Sequence, residues 1–170
     1  MAPPVEPIEE RKVRIIDNTR ECAKCVSELL SDGEPIAVDA EGINLCRDGE
    51  LCLLQVAPRS GAILLFDIAK LGQEAFNTGR LKELLESPSL VKLWYDCRAD
   101  ADALFHQFGV LPKNVYDVQV SYCEYQDENN DSKDPWLKSL AHAIEYCSSQ
   151  KCIWKKHVAS FYQWSRVFHV

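Results

Sequence analysis

The sequence predicts an α/β fold, a mixed sheet of five strands with helices on both faces. Three observations predict it. Short apolar runs separated by turn signals occupy the first part of the chain, and two of them are joined closely enough to pair as an antiparallel hairpin. Further along, apolar runs alternate with segments of helical periodicity. A chain of 170 residues with 46% hydrophobic and 26% charged residues can build one domain with its own core. Strands followed by alternating strands and helices imply a sheet buried on both sides.

The elements read in order as follows. The start of the chain, residues 1–12, has three prolines in its first seven positions and no apolar core of a signal peptide, so it reads as a disordered lead-in. Val13-Arg14-Ile15-Ile16 alternates and reads as an edge strand. Asp17, Asn18 or Thr19 can cap a helix running to about Leu30, with Cys22, Val26, Leu29 and Leu30 at helical spacing. Asp32-Gly33-Glu34-Pro35 stops that helix. A strand over Ile36–Ala40 follows, then a turn at Asp48-Gly49. Strands over Leu51–Ala57 and Ala62–Asp67 flank the tight turn Pro58-Arg59-Ser60-Gly61. A helix spans about Gly79–Glu86 and ends at Ser87-Pro88. The fourth strand is Val91–Tyr95. The helix Arg98–Phe108 groups Ala101, Leu104, Phe105 and Phe108 on one side and closes at Gly109. The fifth strand, Val115–Asp117, leads into a helix near Val118–Tyr125. A polar loop over 127–135 precedes a last helix, Trp136–Cys147.

Composition limits the classes of function. No apolar run approaches the length that crosses a bilayer, so no membrane role is expected. Eight cysteines without a secretory signal imply reduced thiols and a cytoplasmic or nuclear location. Cys22-Ala23-Lys24-Cys25 is a lone CxxC. Cys147 and Cys152 have the wrong spacing to complete a zinc knuckle with it. The net charge is −7, and no overall basic surface advertises nucleic-acid binding. Residues 151–170 carry Lys151, Lys155, Lys156 and Arg166 and no acid.

Chemistry concentrates in two places. The apolar run Pro35-Ile36-Ala37-Val38 meets Asp39-Ala40-Glu41-Gly42. Asp39 and Glu41 lie two residues apart on a strand and share a face. Two adjacent anions raise each other's pKa, and a divalent cation between them removes the conflict. The alternative is a solvated strand end. The second place is Lys92-Leu93-Trp94-Tyr95-Asp96-Cys97-Arg98-Ala99-Asp100-Ala101-Asp102. Asp100 falls in the first turn of a helix, where the positive end of the macrodipole favours an anion. Asp102 lies roughly 200° further round and faces elsewhere. Alone, this second motif reads as an acid-rich helix start.

The ordered set is more specific than its parts. Asp-x-Glu-Gly, then Leu-x-Leu-Leu-Gln-Val on a hairpin, then Asp-x-Arg-x-Asp-x-x-x-Leu, then Asn114-Val115-Tyr116-Asp117-Val118-Gln119 resembles the DEDD superfamily of 3′-5′ exonucleases. The likeness is to ribonuclease D-type domains on a ribonuclease H-like fold. The stretch from Tyr95 to Gln119 is similar to the Egalitarian-like branch. The resemblance covers roughly residues 13–148 and implies hydrolysis of phosphodiesters at nucleic-acid 3′ ends with two metal ions, Mg²⁺ or Mn²⁺. By that resemblance Asp39 bridges both ions, Glu41 holds one and Asp100 holds the other. The implied partner is single-stranded nucleic acid, RNA ahead of DNA. Gly42, Arg98 and Gln119 are candidate substrate contacts, although Asp117 and Gln119 read first as structural groups at a strand end.

One family feature is absent. The resemblance implies a fourth carboxylate, an Asp four residues after a Tyr or His, that completes the metal site and sits beside a water-positioning group. No Tyr or His in this chain is followed at that spacing by Asp, and the last Asp is Asp134. Glu145 is the only late acid, and Tyr162 is followed by Arg166 instead. Impaired activity is therefore expected. Residues 149–170 read as a divergent tail. Its aromatic and basic groups could stack bases. The favoured reading is that Trp154, Val158 and Phe161, at helical spacing, cover sheet surface. A non-catalytic RNA-binding or adaptor module of the same fold is the alternative function.

Overall fold

The computed structural model describes residues 11–128 and 137–143. The lead-in up to residue 10, Glu145 and the tail lie outside the described residues. The elements run in the order β1 (Val13–Ile16), α1 (Thr19–Asp32), β2 (Ile36–Ile43), β3 (Glu50–Pro58), β4 (Ile63–Asp67), α2 (Ile68–Leu71), α3 (Gln73–Phe76), α4 (Leu81–Glu86), β5 (Lys92–Trp94), α5 (Arg98–Phe108), β6 (Val115–Asp117) and α6 (Val118–Glu128).

The strands form one sheet in the order β1-β4-β3-β2-β5-β6. It has six strands rather than five. The sixth is the edge segment β1, which pairs parallel to β4 across Val13↔Ile63 to Ile16↔Phe66. The expected hairpin is present, with β3 and β4 antiparallel. A second antiparallel pair joins β2 to β3. From β2 outward through β5 to β6 the pairing is parallel. The sheet is thus mixed, and its centre is the strand that carries Asp39.

Alternation along β2 divides the two faces. Ile36, Val38 and Ala40 enter the main core with Cys22, Cys25, Val26 and Leu29 of α1, Phe76 of α3 and Leu81, Leu84 and Leu85 of α4. Ala37 points to the other face, where a smaller cluster joins it to Ala57 and Ile63. Val118 of α6 and Leu140 pack over that cluster. Asp39 shares the parity of Ala37 and so belongs to the thinly covered face.

Local signals account for the helix limits. The Asn18 side chain accepts from Glu21 N–H and caps α1, and Gly33 ends it in the left-handed conformation at φ 67°. Gly109 does the same for α5 at φ 65°. The short helices α2 and α3 fall in a stretch where the sequence pattern gave no element. Each is one turn, too short for a period to register. On α5 the buried face consists of Asp100, Ala103 and Leu104, with Phe108 stacked on Phe76 at 4.3 Å between ring centroids. Phe105, expected on that face, is 50% exposed. The first turn of α5 is held toward β2 by hydrogen bonds that Asp100 accepts from Ala40 and Trp94, and this orientation faces Phe105 outward. No helix among the described residues is long and apolar enough to cross a membrane.

Candidate active site

The site is assembled where β2 runs past the start of α5. Ala40, between the two motif acids, donates its backbone N–H to Asp100 Oδ2 at 3.0 Å. The Trp94 indole Nε1 donates to the same oxygen at 2.7 Å. Trp94 ends β5 and is 1% exposed, so the strand itself aims a donor at the helix N-terminus. Asp100 is 7% exposed. Sixty residues of sequence separate it from Ala40, and only the parallel pairing of β2 with β5 brings them together.

Asp39 sits opposite Gln55 in the β2–β3 register. Gln55 Nε2 donates to Asp39 Oδ2 at 3.2 Å. Burial, the negative charge of Asp100 and that of Glu41 push the Asp39 carboxyl up to about 7. Burial pushes Asp100 up to about 6, against the stabilising bonds from Trp94 and Ala40 and reinforced by the charge of Glu41. A buried and a half-buried carboxyl with raised pKa values beside each other mark a place where anionic charge is costly unless a cation arrives. Glu41 follows on the same face of β2 and is exposed.

A ready-made cage is not seen. Among the described residues no group of three or more His, Cys, Asp or Glu side chains is placed to hold a metal ion. One oxygen of Asp39 is turned to Gln55, and one oxygen of Asp100 is turned to Trp94 and Ala40. The chemistry of the donor set nevertheless fits a hard divalent cation. Its oxygens come from carboxylates, one from each of two elements, and each has an oxygen not taken by those donors.

The other motif residues have different surroundings. Gly42 lies at a register shift between Glu41 and Gly42. A Cβ there would stand 2.0 Å from the Glu50 carbonyl oxygen, so the glycine is required by the close approach of β3. Arg98 is exposed and pairs with Asp96, Nε to Oδ1 at 2.6 Å. Gln119 is 8% exposed and donates from Nε2 to the Lys138 carbonyl at 3.3 Å, where Tyr95 Oη also donates at 2.8 Å. Its side chain therefore fastens the segment 137–143. Asp117 accepts from the backbone N–H of Asp96, Cys97 and Gln119 at 3.0, 3.0 and 2.9 Å. It holds the loop that delivers α5 to the site. Asp102 faces away from Asp100 and pairs with Arg47, Nη2 to Oδ1 at 2.8 Å. Cys22 and Cys25 lie on the buried side of α1, and burial pushes the Cys22 thiol up to about 12.

Two contributors, Trp94 and Gln55, were given no role by sequence reasoning, although Gln55 lies in the Leu-x-Leu-Leu-Gln-Val motif. Trp94 reads as one more apolar strand residue. Gln55 left a faint signal, a polar residue inside the apolar run Leu51–Ala57, at the parity that faces the motif acid.

The fold agrees with the comparisons to known proteins. Residues 13–163 match the 3′-5′ exonuclease family, and the chain belongs to that family. The match continues through residues 149–163, which the sequence pattern assigned to a divergent tail. Among relatives, the chain is 41% identical over 117 residues to the piRNA biogenesis protein EXD1 of Mus musculus, covering 68% of this chain and 20% of that protein. It is 33% identical over 94 residues to an Egalitarian protein homolog of Caenorhabditis elegans, covering 55% of this chain and 16% of that one. Among solved structures it resembles Trypanosoma brucei RNase D in complex with RNA U12, with a TM-score of 0.63 and 29% identity, over 70% of this chain and 41% of that chain. The sheet and its helices thus have the ribonuclease H-like arrangement of the RNase D exonuclease domains. The chain spans no more than about a fifth of the length of these two relatives.

Proposed function

We propose that this domain removes nucleotides from the 3′ ends of single-stranded RNA, with Asp39, Glu41 and Asp100 holding Mg²⁺ or Mn²⁺. The observation that carries the reading is the seating of Asp100 against the backbone of the Asp39–Glu41 strand end. Two carboxyls from distant segments share one partly buried spot, and both resist ionisation there. When bound, a pair of divalent cations supplies Lewis-acid stabilisation of the leaving oxygen and a water nucleophile at neutral pH. Asp39, half-buried, and Asp100, buried, would supply oxygen ligands, and Glu41 would supply one from the exposed end of the strand. Trp94 and the Ala40 amide keep Asp100 fixed, which limits reorganisation during the reaction. RNA is favoured as substrate because relatives act in piRNA biogenesis or carry the ribonuclease D name.

The chain lacks the Asp that completes the site in the resembled family, so its rate is low. Each missing acid–base or water-positioning group costs on the order of 10²–10⁴-fold. Trimming of an end-labelled single-stranded RNA in Mn²⁺ tests the reading. Asp39→Ala combined with Glu41→Ala abolishes the residual trimming. A double mutant that trims as fast as the parent removes the metal site from the explanation.

The second reading is an RNA-binding module without turnover, favoured by the missing fourth carboxylate of the resembled family. It predicts binding that weakens as salt rises, with no mononucleotide product. A gel shift run beside the nuclease assay separates the two.

A further inference from the structure

Gln55 has a chemistry that packing does not explain. It lies in the middle of β3, between Leu54 and Val56, and is 1% exposed. Its neighbours on the same strand face are Leu53 and Ala57, so a leucine or methionine would suit the position as a packing residue. Its Nε2 donates to Asp39 Oδ2 at 3.2 Å. Its Oε1 is buried and has no hydrogen-bond partner among the described residues. A buried amide with an orphaned acceptor is destabilising compared with an apolar side chain of the same shape. The fold therefore tolerates a polar group at this point, and the one bond the group makes is to the central acid of the site.

From these facts we infer that Gln55 is a positioning residue for Asp39. It fixes the carboxylate through Oδ2 and leaves Oδ1 directed for a ligand. The inference rests on the metal-dependent reading of the site. The mechanism is that of an outer partner orienting an inner ligand. The cross-strand register makes the arrangement rigid, since Asp39 and Gln55 are directly opposite on β2 and β3. Neither side chain can shift along the sheet without breaking the ladder on both sides. The donor is also neutral. It stabilises the ionised Asp39 without adding a positive charge that would compete with a cation for the site.

The test compares the whole chain with Gln55→Leu and with Gln55→Met, which keeps the length but removes the donor. Binding of Mn²⁺ is measured by calorimetry, and RNA trimming is measured under steady-state conditions. Circular dichroism confirms that each variant is folded. The expected result is a folded variant whose Mn²⁺ affinity falls roughly 10–100-fold, with kcat reduced and KM for RNA unchanged. High Mn²⁺ should recover part of the lost rate. A purely structural role predicts a lower melting temperature with Mn²⁺ affinity intact, and that result overturns the inference alone. If the parent chain itself binds no Mn²⁺, the metal-dependent reading fails and the inference falls with it. The two failures are therefore distinguishable. If Gln55→Leu does not fold, Gln55→Met supplies the same comparison.

Discussion

Asp39 and Asp100 each carry a cost that is visible in a single side chain. Their carboxyls are pushed up to about 7 and about 6, against ordinary values near 3.8, with burial as the leading cause. Raised values mean that the folded chain binds protons more tightly than the unfolded chain. Their contribution to stability is complete below about pH 4 and is lost as pH rises through 6 and 7. Metal-free protein in a chelator should therefore melt at a higher temperature at pH 5.5 than at pH 7.5. Asp39→Asn should flatten that difference. A parent whose melting temperature is level over this range would show that the two carboxyls ionise normally. The same residues show what sequence could tell at this scale. Asp39 and Glu41 were singled out by their place at the end of an apolar run, and Asp100 by the ordered motif set. Trp94 and Gln55 were given no role, because their contribution is a hydrogen bond across strands, and nothing local marks its partner.

At the scale of elements, β2 is where two demands meet. Its first half is a buried central strand, and its end must open to hold exposed Glu41. The register shift at Glu41–Gly42 makes that change, and it works only because residue 42 has no side chain. Gly42→Ala should cost about 1–3 kcal/mol, as overpacking does, because the added carbon meets backbone rather than a flexible side chain. Urea unfolding measures it, and an unchanged midpoint would mean that β3 can move aside. The glycine of the Asp-x-Glu-Gly motif was read as a candidate substrate contact. Its surroundings add a steric need, the close approach of the Glu50 carbonyl. A similar lesson comes from α5. Its limits were legible from Gly109 and from the apolar spacing, but its rotation was not. Hydrogen bonds to Asp100 from Trp94 and Ala40 set that rotation, and Phe105 is exposed as a result.

For the whole molecule, the sheet converts sequence distance into proximity. The parallel step from β2 to β5, and the loop held by Asp117, deliver the start of α5 to the end of β2. Binding a cation only in the folded state must then stabilise the whole chain by mass action. Mn²⁺ at about 100 times its dissociation constant should add about 2.7 kcal/mol, read as a rise in melting temperature. The double variant Asp39→Ala with Glu41→Ala should lose that rise. A parent that shows no rise at millimolar Mn²⁺ would favour the RNA-binding reading.

Sequence by itself determined the class of fold, the central strands and the ends of the long helices, and the ordered motif set pointed to three acids through a family resemblance. The fold follows from local physics: apolar period, turn chemistry and helix caps. Tertiary structure alone decided which face each acid serves and which neighbours steady it. It made Gly42 a steric necessity, turned Gln119 to the Lys138 carbonyl and seated Asp100 on the Ala40 amide. Those outcomes depend on strand register and helix rotation, which are fixed by contacts between residues far apart in the chain.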